Sequence, residues 1–177
     1  MVFANTGLPM LFVHMPVLLL ALLPVILIEA SVYRAGVPLT WGAAVRGSLV
    51  ANLWSTLLGI PVAWFALVIA QLILGGGGMW NLEIPLLRLA AVLVQAPWLP
   101  PYEDELYWMI PAASLALLVP FYLVSVWVEL RALRPKWPTV TSGKLRLLVA
   151  GANAFSYALL AGYWLLRLLY AEPWASD

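Results

Sequence analysis

The chain contains no cysteine and a single histidine among its 177 residues. The first absence excludes disulfides, thiolate metal sites and thiol catalysis together. The second leaves little room for imidazole chemistry. Charge is scarce as well: 10% of residues are charged, against about 25% in soluble domains. With a net charge of +1 and no basic patch interleaved with aromatics, nothing attracts nucleic acid. No H-E-x-x-H, G-x-S-x-G or GK[ST] motif occurs, and no Asp cluster suits a metal, so neither catalysis nor a metal site is expected.

What fills the chain instead is apolar residue, 64% of the total, with a mean hydropathy of +0.97. Too little polar surface remains to cover such a chain in water, so lipid is its solvent. Four runs reach the roughly 20 apolar residues that a spanning helix needs: 8–33, 42–73, 108–131 and 146–170. The second is long and carries Gly59 and Pro61, where a kink or tilt is expected. "MVFANTGLPM" lacks the basic start of a signal peptide, so the first run is expected to stay in the mature protein.

Seven of the nine basic residues fall in two short connections: Arg34 and Arg46, then Arg131, Arg134, Lys136, Lys144 and Arg146. The positive-inside rule places these connections in the cytoplasm, with Arg34, Arg46, Arg134 and Arg146 as interface anchors. Both termini and the middle connection then lie outside, together with Glu83, Glu103, Asp104, Glu105, Glu172 and Asp177. A bacterial plasma membrane, or an intracytoplasmic or thylakoid membrane derived from it, is the expected location.

The middle connection breaks flexibly at "GGGG", residues 75–78, and continues as "IPLLRLAAVLVQAPW". That apolar stretch is too short to span, and Arg88 and Gln95 share a face, with Asn81 in the same register. An interfacial amphipathic helix is expected there. The organisation is therefore an all-α integral membrane protein in three parts: a first transmembrane hairpin (1–74), an external linker with the interfacial helix (75–107) and a second transmembrane hairpin (108–177).

Two acids remain inside the apolar runs, Glu29 and Glu129. Glu29, Arg34 and Pro38 recur at an offset of 100 as Glu129, Arg134 and Pro138, and each set is followed by N-x-x-S, Asn52 with Ser55 and Asn153 with Ser156. The shared pattern points to tandem antiparallel hairpins, a parallel pseudo-repeat about an axis along the membrane normal. Glu29 and Asn52 stand equally far from their turn, as do Glu129 and Asn153, so each acid should lie level with the amide of its own hairpin. That depth is about 8 Å below the cytoplasmic arginine, with each serine one turn deeper. Arg34 is turned about 140° away from Glu29 around the helix and is a poor partner for it. The expectation is two polar clusters, each of carboxylate, amide and hydroxyl, serving as interhelical ties or as an ion site. Small residues recur every fourth position, as Gly47, Ala51, Ser55, Gly59 and Ala63 in the second run and as Ala150, Ala154, Ala158 and Gly162 in the fourth, where helices are expected to approach closely.

His14, in "FVHMP", is read as an interface or interhelical residue, with axial ligation of a chlorophyll or haem as the sharper alternative. Arg167 is read as a snorkelling end residue. The expected function is that of a non-enzymatic accessory or assembly subunit of a larger membrane complex, photosynthetic or respiratory. Its partners would be membrane lipid and other membrane subunits, or copies of itself. The alternative is a small oligomeric ion- or proton-coupled transporter or channel using Glu29 and Glu129.

Overall fold

The computed structural model describes residues 10–73, 96–97 and 106–171, with side chains from residue 16 onward apart from residue 70. Among the described residues every regular element is helical: α1 (Met10–Gly36), α2 (Trp41–Trp54), a π-helical turn (Ser55–Gly59), α3 (Ile60–Ile73), α4 (Leu106–Leu133) and α5 (Ser142–Leu169). The interfacial helix expected within 75–107 lies outside the described residues.

Four helices are long and apolar enough to cross a membrane: Pro16–Gly36, Trp41–Ile73 (α2, the π turn and α3 together), Leu106–Leu133 and Ser142–Leu169. All four match the apolar runs in order. Trp41–Ile73 is 33 residues long, about 50 Å at 1.5 Å per residue, so it exceeds a roughly 30 Å hydrocarbon core and must tilt or protrude. The irregularity expected near Gly59 and Pro61 takes the form of a widened turn. Pro61 has no N–H to offer the Leu57 carbonyl, and its ring crowds that group. Just before the proline the helix loosens by one residue, and Ile60 N–H bonds to Ser55 O instead.

The first short connection ends in an N-cap, where Thr40 Oγ1 accepts Ala43 N–H at 3.3 Å. The second is occupied by a buried Trp137, whose ring meets Tyr33 edge-on with centroids 5.2 Å apart. A Cβ added at Gly47 would come within 2.5 Å of the Trp137 ring, and one at Gly36 within 2.2 Å of Leu148. Each connection therefore touches a helix from the other half of the chain, and both lie at one end of the helix set.

Helix α1 packs on α2 and α5, and α4 packs on α2, the π turn, α3 and α5. One core layer, with Tyr33, Ala51, Leu133, Leu145, Val149 and Ala152, sits toward the connections. Another, around Met109, Ala113, Leu117, Phe121, Ile60 and Ala63, sits toward the opposite end. The periphery is apolar and uncovered, with Leu20 at 81%, Leu72 at 70% and Leu147 at 75% exposure.

The two small-residue rows fare differently. In the second span Ala51, Ser55, Gly59 and Ala63 are buried, and a Cβ at Gly59 would meet Val124 of α4 at 3.4 Å. In α5 the expected close approach does not occur: Ala154 and Ala158 are exposed, and nothing lies within 4 Å of a Cβ at Gly162. The packed face of α5 is the adjacent row through Val149, Asn153, Ser156 and Leu160.

Candidate functional site: a shared carboxylate cluster

Glu29 and Glu129 are 0% and 1% exposed. Each receives the amide expected for it: Asn52 Nδ2 donates to Glu29 Oε2 at 2.5 Å, and Asn153 Nδ2 donates to Glu129 Oε2 at 2.8 Å. The two asparagines are held alike, because Asn52 Nδ2 also reaches Ser48 O at 3.0 Å and Asn153 Nδ2 reaches Val149 O at 3.1 Å. Each is thus tied one turn back on its own helix.

The serines depart from expectation. Ser55 Oγ lies 3.0 Å from Glu129 Oε1, and Ser156 Oγ lies 3.0 Å from Glu29 Oε1. Each hydroxyl serves the carboxylate of the other half, so the two expected clusters are one. The reason is helical geometry. Asn52 and Ser55 are three residues apart and differ by about 60° around the axis. In a four-helix set one then points at the sequence neighbour, α1, and the other at α4. Spacing within one hairpin carries no information about that second neighbour.

Two further donors complete the shell. Ser48 Oγ is 3.2 Å from Glu29 Oε2, and Tyr33 Oη is 3.5 Å from Glu129 Oε2, at the limit of a hydrogen bond. Ser48 lies four residues before Asn52 and Tyr33 four after Glu29, hence on the same helix faces; that spacing was a usable signal for Ser48, whereas Tyr33 beside Arg34 reads as an interface residue. All four carboxylate oxygens have partners, and among the described residues no lysine or arginine forms an ion pair with either acid.

Beside the cluster lies a cavity of about 40 Å³, toward the middle of the spans. Glu129, Asn52, Ser55, Thr56, Ser156 and Tyr157 contribute to its wall, with Leu18, Leu22 and Val25 of α1 opposite. Glu29 does not line it. Ser125 Oγ and Tyr157 Oη pair at 2.8 Å on the same side. One buried acceptor, Asn153 Oδ1, has no donor.

The remaining candidates are separate from this centre. Arg34, Arg46, Arg134 and Arg146 are exposed near the two short connections, and Arg34 lies 5.6 Å from the Trp41 ring centroid. Arg131 stacks on Trp127 at 3.7 Å. Arg167 is exposed and borders a larger cavity, about 530 Å³, between the start of α4 and the end of α5. His14 belongs to α1, but its side chain lies outside the described residues, as do the acids of the middle connection and C-terminus. Among the described residues no three His, Asp or Glu side chains gather as a metal-binding group.

No family model matches the chain, and no curated protein or solved structure proves similar to it.

Proposed function

We propose that this chain is a non-enzymatic accessory or assembly subunit of a larger membrane complex, built as two tandem hairpins related by a pseudo-twofold axis along the membrane normal. The carboxylate cluster is the tie that holds the hairpins together. The observation that carries this reading is the reciprocal exchange of serines, which engages both acids with groups from both halves of the chain. The large apolar residues left uncovered, such as Leu20, Leu72 and Leu147, supply a surface for lipid and partner helices. The arginine-bearing connections face the cytoplasm in this reading and both termini face outward. Gentle detergent extraction from native membranes, with identification of what co-purifies, tests it. A defined set of membrane subunits is expected; recovery of the chain alone in every mild detergent would refute it.

A second reading, a small oligomeric ion- or proton-coupled transporter, draws on one observation: the cavity reaches Glu129, Ser55 and Ser156. Reconstituted vesicles decide this reading. Flux that the double variant Glu29→Gln, Glu129→Gln abolishes while still folding would favour transport over the tie alone.

A further inference from the structure

We infer that Glu29 and Glu129 form a two-proton binding site, each carboxyl holding one proton, with Glu129 the member that exchanges through the cavity.

Ser55 Oγ has two acceptors in reach, Asn52 O at 3.1 Å and Glu129 Oε1 at 3.0 Å. Ser156 Oγ has the matching pair, Asn153 O at 3.1 Å and Glu29 Oε1 at 3.0 Å. A hydroxyl carries one proton and two lone pairs, so it donates fully to one acceptor or shares its proton weakly between two. With ionised carboxylates each serine has two acceptors for one proton. With a proton on each acid the shortage disappears: Glu129 Oε1–H donates to Ser55 Oγ, whose own O–H donates to Asn52 O. Glu29, Ser156 and Asn153 O repeat the arrangement.

Charge balance points the same way. The titratable groups facing the cluster are Glu29 and Tyr33 from α1, Glu129 from α4 and Tyr157 from α5, while α2 and the π turn offer only Ser, Thr and Asn side chains. None of these can neutralise a pair of anions in a low-dielectric interior, and a proton on each acid removes both charges.

The cavity separates the two acids in behaviour. Its 40 Å³ is room for about one water, and its wall includes Glu129 but not Glu29. Glu129 meets the cavity directly and Glu29 only through Ser156 and Asn52, which assigns the faster exchange to Glu129. The hydrogen count holds whether or not the chain has partner subunits. Protonation is as compatible with a tie as with transport, so failure of the infrared test below and failure of the co-purification test are distinguishable.

Infrared spectroscopy of the full chain in detergent at neutral pH tests the proposal. Two protonated-carboxyl C=O bands are expected, one shifting promptly in D2O and one slowly. Glu129→Gln should remove the prompt band and Glu29→Gln the slow one. Tyr33→Phe, a mild change that removes a hydroxyl bonded to Glu129 and not to Glu29, should displace the prompt band more than the slow one, and it serves if the Gln variants fail to fold. No protonated-carboxyl band, or a single one, in the unmodified chain overturns the two-proton site. A prompt band that survives Glu129→Gln, or that Tyr33→Phe leaves in place, overturns the assignment of Glu129 as the exchanging member.

Discussion

Glu29 and Glu129 occupy matching positions, and the frame around them is nearly the same: an asparagine tied back one turn, a serine from the opposite half, and burial to 1% exposure or less. What differs is the third donor. Glu29 takes it from Ser48 of α2, whose counterpart at the asparagine offset of 101 is the apolar Val149. Glu129 takes it from Tyr33 of α1, whose counterpart at the glutamate offset of 100 is Leu133. The amide and serine contacts are alike for the two acids, while the third donor differs, giving Glu29 a firm donor and Glu129 a long bond at 3.5 Å. Packing shows a related exchange of bulk. Trp137 fills the space over Gly47, whereas Leu148, the counterpart of Gly47, sits against Gly36. The two acids thus reach similar shells through different residues, and Glu129 is both less firmly held and closer to the cavity.

Removing either acid should have the largest effect. Glu29→Ala or Glu129→Ala leaves at least two buried donors without an acceptor, and a loss on the order of 3 kcal/mol is expected in the folding equilibrium measured by denaturing-detergent titration. Next come the amides. Asn153→Ala leaves Glu129 with one serine and the long tyrosine bond, while Asn52→Ala leaves Glu29 with two serines. Asn153→Ala should therefore be the more damaging, by about 1 kcal/mol in the same assay. The bulk exchange predicts a smaller asymmetry. Gly47→Ala drives a methyl into a rigid indole ring and should cost about 1–3 kcal/mol. Gly36→Ala meets the rotatable end of Leu148 and should cost less, as thermal unfolding of the two variants will show. The smallest effect is expected for Tyr33→Phe, which loses a marginal bond and keeps the ring contact with Trp137. Ser48→Ala should exceed it, at about 0.5–1.5 kcal/mol.

Much of this molecule was legible in its sequence because long apolar runs have few solutions. They foretold, in order, four helices long and apolar enough to cross a membrane, and the equal distance of Glu29 and Asn52 from their turn foretold their pairing. The cross-connection through Ser55 and Ser156 was not legible, since a residue pattern within one pair of helices does not say which face meets the other pair. The alanine row of α5 misled for a related reason. Small residues permit close approach but do not compel it, and the polar row beside them, with Asn153 and Ser156, has the stronger claim on the interior. Tyr33 was hidden by its company, an aromatic next to Arg34 that reads as an interface residue although it is fully buried.

Double-mutant cycles on stability decide whether the serines are exchanged between the two halves of the chain. Coupling of about 0.6 kcal/mol or more is expected for Ser55→Ala with Glu129→Gln and for Ser156→Ala with Glu29→Gln. Markedly weaker coupling is expected for the same-half pairs, Ser55 with Glu29 and Ser156 with Glu129. Coupling confined to the same-half pairs would rule the exchange out.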